Sequence, residues 1–379
     1  MKSIYLDHAA TSPVHPNVIA EMMPVYKEVF GNPSSVHQFG RKARRILDEG
    51  RRRIAYGIGA NEKEIVFTSG GTEADNLAII GTARANISKG KHIITTTIEH
   101  HATLHAVEYL ESQGFEVTYL PVNENGRIHV TDVKDALRED TILVSIMMVN
   151  NETGVMQPIN EVAELLQGHQ AYFHSDIVQA YGLMDINVTS LGVDLMAVSS
   201  HKINGPKGIG FLYIREGTIL ESLQYGGEQE RKRRAGTENI PAVKGLQTAV
   251  EIIEAERSTY KEKYLHYKEL FLQKLKEEEV PFEVNGSEES TIESIVNISF
   301  PGMNVETLLT NFDLSGIAAS SGSACTAGSV EPSHVLSAMF GSEHPKTTNS
   351  VRFSFGFANN EEDIVEAATR VSQVIKRLT

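Results

Sequence analysis

Lys202 closes the run Ser199-Ser200-His201-Lys202 and opens onto Ile203-Asn204-Gly205-Pro206, where an apolar strand gives way to a tight turn. A lysine there can form a Schiff base with an aldehyde once its surroundings lower its pKa and free the amine. Taken alone, a loop lysine is more often a solvated charge. Cys325 lies in Ser320-Ser321-Gly322-Ser323-Ala324-Cys325-Thr326-Ala327-Gly328-Ser329, among small residues without a bulky apolar anchor. A lone cysteine is more often a buried small hydrophobe, but such cysteines sit in apolar stripes. This setting instead predicts a mobile, exposed loop and a reactive thiol that can be carried.

Asp176 and Gln179 follow the apolar run Ala171-Tyr172-Phe173 at the carboxyl end of another expected strand, the edge where ligands gather in open α/β sheets. A carboxylate against a pyridine nitrogen keeps it protonated, and the ring then draws electrons from a substrate's α-carbon. A helix cap is the equally ordinary use of such an aspartate. His100 and His101 lie just past the strand expected at 92–96. One imidazole there could stack on a planar ring or exchange protons near neutral pH, while His101 reads as a polar loop histidine. With no further ligands beside them at metal-binding spacing, no metal site is expected.

The segment Thr68-Ser69-Gly70-Gly71-Thr72-Glu73 joins a strand to a helix through two glycines. Glycines let backbone N–H groups approach an anion, Thr72 adds a hydroxyl, and the helix N-terminus adds a favourable dipole. A plain turn capped by Thr72 is the commoner use. The segment lacks the G-x-x-x-x-G-K-[ST] and G-x-G-x-x-G patterns, which weakens nucleotide readings. Arg352 alternates out of the strand expected at 350–355; facing a cleft, its planar fork would grip a carboxylate, and facing water it would be an ordinary strand charge. The run Arg231-Lys232-Arg233-Arg234, flanked by glycines and Thr237, reads as a solvated loop.

The elements that must position these groups follow from apolar spacing. Short, largely β-branched runs at 65–67, 92–96, 116–122, 141–149, 171–174, 194–198 and 210–214 predict strands. Helical stretches at 72–85, 103–113, 130–137 and 159–166 fall between them. That alternation predicts an α/β fold with a mainly parallel seven-stranded sheet and helices on both faces. A long helical stretch at 241–278 then passes to a smaller α+β unit, with strands at 294–299 and 350–355 and helices at 305–312, 332–339 and 361–378. We expect a large domain over 15–257, and a small one formed by 1–14 with 258–379 that bears the cysteine loop at about 320–332.

Composition narrows the field. The net charge of −14 opposes general binding of nucleic acid. No apolar run approaches the length that spans a bilayer, and the amino end carries no long apolar stretch, so a cytoplasmic protein without membrane contact is expected. A single cysteine excludes an intramolecular disulfide and any multi-cysteine metal site, as suits a reducing compartment.

Read jointly, Tyr5-Leu6-Asp7-His8-Ala9-Ala10-Thr11, Gly31-Asn32-Pro33-Ser34-Ser35, Gly71-Thr72-Glu73, Val149-Asn150-Asn151-Glu152, Ser199-Ser200-His201-Lys202 and Arg234-Ala235-Gly236-Thr237 occur in this order. The chain thereby resembles, nearly end to end, the cysteine desulfurases, pyridoxal-phosphate enzymes of the aminotransferase-like fold (fold type I). The resemblance implies that Lys202 holds the cofactor as a Schiff base, Asp176 pairs with its pyridine nitrogen and His100 stacks on its ring. Gln179 and Asn151 would contact ring oxygen or substrate, and Gly71, Thr72, Ser199 and His201 would seat the phosphate. Thr237 would reach the phosphate of the neighbouring subunit in a homodimer, and Arg352 would hold the substrate carboxylate. L-cysteine would yield L-alanine and a persulfide on Cys325, with His100 aiding proton transfer. The Cys325 loop looks like that of the group with a long, flexible loop, which passes sulfur to protein acceptors for iron–sulfur assembly or tRNA thiolation. Ile177, Ala235 and Gly328 depart from the commoner pattern without removing a functional group. A selenocysteine lyase or another lyase of the same fold is the nearest alternative, and a non-catalytic sulfur carrier using only the Cys325 loop is the alternative from another class.

Overall fold

Strands apolar on both sides must be covered on both faces, and the middle of this chain is built from such strands. In the computed structural model, which describes residues 2–286, 289–321 and 332–379, they form one seven-stranded sheet. We number them β1 (Ile65–Thr68), β2 (His92–Thr96), β3 (Glu116–Leu120), β4 (Thr141–Ser145), β5 (Tyr172–Asp176), β6 (Leu195–Ser199) and β7 (Gly210–Ile214). Their spatial order is β1-β7-β6-β5-β4-β2-β3. All neighbours run parallel except β7, which is antiparallel to both β1 and β6.

Alternation along β6 shows how both faces are used. Met196 and Val198 join the main core with Val243, Leu246 and Val250 of the long helix Ile240–Glu277. Leu195 and Ala197 face the other way, against Ala74, Leu77 and Ala78 of a helix at Gly71–Ala85. Four helices recur below: α1 (Pro16–Glu28), α2 (Gln38–Gly57), α3 (Gly71–Ala85) and α4 (His101–Ser112). The first two precede the sheet and lie outside the alternation read from the sequence.

The long helix has 38 residues, roughly 57 Å at 1.5 Å per residue, and serves two cores. Its first part is buried in the main core through Ile253, whereas Tyr264, Tyr267, Phe271 and Leu275 enter a second one. There the ring of Phe271 lies 4.8 Å from that of Phe353. A three-stranded antiparallel sheet of Ser350–Ser354, Ile295–Ser299 and Glu283–Asn285 backs this core. Ile4 and Leu6 also pack into it, and Ile4–Tyr5 pairs in parallel with Ile317–Ala318. Residues just beyond Leu6 therefore cross from the second core to the carboxyl edge of the main sheet.

Two local expectations change. The strand β4 ends at Ser145 rather than at 149: Ile146 and Met148 still donate to the His174 and Asp176 carbonyls of β5, but on the other side the Met147 N–H donates to the Glu99 carboxylate, 3.0 Å from each oxygen, instead of to a strand carbonyl. His101 is no loop residue: it opens α4, with its ring 5.0 Å from His105 and 4.8 Å from His334.

Candidate active site

β6 ends at Ser199, and a single tight turn, Ser200–Lys202, places Lys202 on the carboxyl edge of the sheet. The Gly205 N–H closes back onto the Ser200 carbonyl at 3.0 Å, which fixes the following Gly-Pro turn. Lys202 lines a cavity of about 330 Å³ together with Gly71, Thr72, His100, Asn151, Asp176, Gln179, Ser199, His201 and Arg352. That volume suits a small cofactor with its substrate. Burial pushes the Lys202 amine down to about 8, the Arg352 guanidinium pushes the same way, and Asp176 and Asp7 oppose them. The Nζ is held by the carbonyls of Ala9 and Ala10, the latter at 2.8 Å.

Asp176 closes β5. Its carboxylate accepts the Val178 N–H at 2.8 Å, and burial raises its pKa to about 6 against the pull of that hydrogen bond and of Lys202. Asp75, on α3, lines the same cavity and is also buried. Burial and then the charge of Asp176 raise Asp75 well above the ordinary carboxylate range. Two buried carboxyls side by side cannot both ionise cheaply, so Asp75 keeps the proton and Asp176 carries the charge. Behind Asp75, His174 Nε2 lies 3.4 Å from its Oδ1, and His174 Nδ1 lies 2.9 Å from Ser145 Oγ.

His100 caps α4. Its Nδ1 accepts the Ala102 N–H at 3.1 Å, so the proton of the neutral ring sits on Nε2. The ring keeps accessible surface because it lines the cavity. The protein around it, the Lys202 charge and three neighbouring imidazoles push its pKa down to about 4.

At the opposite wall, α3 begins at Gly71, and the preceding Gly70 adopts φ 150°, ψ −172°, a conformation essentially reserved for glycine. Gly210 lets β7 approach this turn: a Cβ there would stand 2.3 Å from the Val198 carbonyl oxygen and 3.0 Å from Gly70 Cα. The first N–H groups of a helix have no partner within it, and here they open where Thr72, Ser199 and His201 line the cavity. His201 Nδ1 is 3.1 Å from Thr11 Oγ1, and burial followed by the charges of Lys202 and Lys207 lowers its pKa to about 4. The set is that of an anion seat at one end, a lone buried carboxylate and an imidazole face between, and a lysine with a depressed pKa. It fits a phosphorylated pyridine aldehyde.

Arg352, in the strand Ser350–Ser354, is buried and turned into the cavity rather than into water. Its Nη1 donates to the Asn151 carbonyl at 2.8 Å and its Nη2 to Asp7 Oδ1 at 2.7 Å. Among the described residues its Nε has no partner. Gln179 donates from Nε2 to the Ala9 carbonyl at 3.0 Å.

One expected site residue lies apart from this assembly. Thr237 stands exposed on the loop after Arg234 and does not line the cavity. Cys325 lies outside the described residues. The basic run before Thr237 is not a plain solvated loop: Arg234 pairs with Glu73 of α3 at 2.7 Å, and the buried Glu230 pairs with Arg51 of α2 at 2.6 Å. Asp7, Asp75 and Ser320 are cavity or contact residues that were assigned no role from the sequence. For Asp7 the only signal was its place in the shared amino-terminal motif. Among the described residues no group of three or more His, Cys, Asp or Glu side chains is arranged to hold a metal ion, and no helix is long and apolar enough to cross a membrane.

Comparison with known proteins agrees with this geometry. Residues 4–366 match the aminotransferase class-V family. The chain is 56% identical to a putative cysteine desulfurase IscS 1 of Bacillus subtilis strain 168, over 100% of both chains. It is 45% identical to the cysteine desulfurase IscS of Methanosarcina thermophila, covering 100% of this chain and 93% of the relative. Among solved structures, a NifS-like protein superposes with a TM-score of 0.93 at 32% identity, covering 99% of this chain and 100% of the other. The protein SspA in complex with cysteine superposes at 0.83 with 36% identity, covering 93% and 99%. A cavity that joins an amine-releasing lysine, a lone buried carboxylate and an anion seat thus coincides with full-length sequence and structural likeness, and the chain belongs to the cysteine desulfurase family.

Proposed function

We propose that the protein takes the sulfur of L-cysteine onto Cys325 as a persulfide, releases L-alanine, and passes the sulfur to an acceptor protein of iron–sulfur assembly or tRNA thiolation. The observation that carries this reading is the joint facing of Lys202, Asp176 and Arg352 into one cavity. Pyridoxal phosphate is the cofactor; bound at Lys202, it withdraws electrons from the substrate's α-carbon and labilises the bonds next to it. Lys202 is suited to exchange a proton at that carbon because its amine is freed near pH 8. Asp176 keeps a pyridine nitrogen protonated, and the first turn of α3 with Gly71, Thr72, Ser199 and His201 holds the phosphate. Asn151 and Gln179 contact the ring or substrate, and Arg352 meets the substrate carboxylate.

At the sulfur, the Cys325 thiolate forms an S–S bond as the substrate's Cβ–S bond breaks. The electron pair left on Cβ is protonated, which gives alanine and needs no outside oxidant. His100, whose neutral ring carries its proton on Nε2, serves these transfers. Thr237 would complete the phosphate site of a second copy in a homodimer. The division into a large unit, 15–257, and a small one, 1–14 with 258–379, belongs to the same reading; the two separate cores joined by the long helix support it. So does a cytoplasmic setting, which the reducing chemistry of a free thiol favours.

Purified protein is expected to show a visible absorption band that shifts on adding L-cysteine, with one alanine formed per sulfur transferred. Lys202→Ala should lose the band. Alanine release that persists undiminished in Cys325→Ala would sink the persulfide route while leaving cofactor binding intact.

A further inference from the structure

We infer that Asp7 sets how tightly the site holds a carboxylate, acting as a positioning and affinity-limiting residue through Arg352. This rests on the reading of Arg352 as the partner of the substrate carboxylate. Asp7 follows the strand Ile4–Tyr5, and its register is locked: the Ser354 N–H donates to the Leu6 carbonyl at 2.8 Å, and the Ala9 N–H donates to Ser354 Oγ at 2.8 Å. The Asp7 carboxylate is thereby fixed beside Arg352, whose Nη2 donates to it at 2.7 Å.

The Arg352 side chain is only 4% exposed and that of Asp7 only 19%. With Nη1 also tied to the Asn151 carbonyl, the guanidinium cannot turn, and each Nη keeps a second N–H that these two bonds do not use, on a side chain that lines the cavity. Its positive charge, however, is already matched by Asp7. An incoming carboxylate therefore meets a nearly neutral pair, and it also meets the repulsion of a second anion a few ångströms away, little screened at this depth. The consequence is a site that orients a carboxylate without gripping it. That suits a reaction whose substrate and product both carry one, because a tight grip would also retain L-alanine.

The test uses the holoenzyme and two probes, L-alanine, which has the carboxylate, and cysteamine, which lacks it. Asp7→Asn keeps a carbonyl oxygen for Nη2 and removes the charge. The expected result is an equilibrium dissociation constant for L-alanine lowered roughly tenfold, a KM for L-cysteine lowered in step, stronger inhibition by L-alanine, and cysteamine affinity unchanged. Asp7→Ser removes the same charge and serves if the amide variant does not fold. Weaker binding of L-alanine in both variants, or equal shifts for both probes, overturns the inference and makes Asp7 an anchor only. Arg352→Gln separates the two layers. If it leaves L-alanine binding unchanged, the carboxylate reading of Arg352 fails and the role of Asp7 with it. If it weakens L-alanine binding while Asp7→Asn changes nothing, only the role of Asp7 fails.

Discussion

Lys202 and Asp176 bind protons differently in the folded and unfolded chain, and the signs are opposite. The folded lysine holds its proton only up to about 8, against an ordinary 10.5. The unfolded chain then binds more protons between those values, so stability rises with pH across that window. The folded Asp176 holds its proton up to about 6, against 3.8, so stability falls as pH rises from about 4 to 6. In cofactor-free protein, Lys202→Met should remove its share of the rise in melting temperature between pH 8 and 10, a contribution of at most roughly 3 kcal/mol. Asp176→Asn should flatten its share of the fall between pH 4 and 6; thermal melts across pH check both. The sequence carried Lys202, Asp176 and His100 because each follows an apolar strand, where a polar group must either face water or serve a ligand. It did not carry Asp7 or Asp75 as site residues. The partner of Asp7 lies 345 residues away, and Asp75 sits within a helix pattern that gives no sign of the sheet edge behind it.

At the scale of elements, the strands of the main sheet were legible because both faces are buried and the runs are apolar throughout. The helix α2 was not, and its buried face shows why: Ala43, Leu47 and Ile54 share it with Gly50 and Arg51. A buried arginine breaks the apolar period, and its reason lies in Glu230, far along the chain. Glu230 accepts two bonds from Arg51, at 2.6 and 2.7 Å, and the Phe67 N–H at 2.9 Å. It also begins three successive non-glycine residues, Glu230, Arg231 and Lys232, with φ of 45°, 57° and 68°, a strained run that persists only when held from outside. Glu230→Ala strands the Arg51 charge and should cost about 3–5 kcal/mol by denaturant titration. The double change Arg51→Met with Glu230→Leu should recover part of the loss. At the turn before α3, Gly70→Ala forces a side chain into a backbone conformation reserved for glycine, about 1–3 kcal/mol of strain. Because that turn opens α3 onto the anion seat, cofactor dissociation measured by dialysis should speed up more than global stability falls.

For the molecule as a whole, the exposed apolar residues are unevenly placed. Phe30, Val36 and Tyr26 are 75%, 88% and 58% exposed, and the Phe30 and Phe39 rings lie 5.1 Å apart at the surface between α1 and α2. An exposed aromatic pair of this kind suits an association face. In the proposed homodimer a second copy covers it. Thr237, which does not line the site cavity of its own chain, then serves the anion seat of its neighbour, where Thr72 is left exposed. Dimerisation and cofactor retention should therefore be linked: whatever binds only the dimer stabilises it by mass action. Sedimentation should give a dimer at micromolar concentration, and Phe30→Glu, which buries a charge in that face, should shift it towards monomer. On dilution the variant should lose its visible band at protein concentrations where the parent keeps it, and Thr237→Val should lose the band sooner while remaining dimeric. A monomeric variant that keeps its cofactor as well as the parent would show that each chain builds its phosphate site alone.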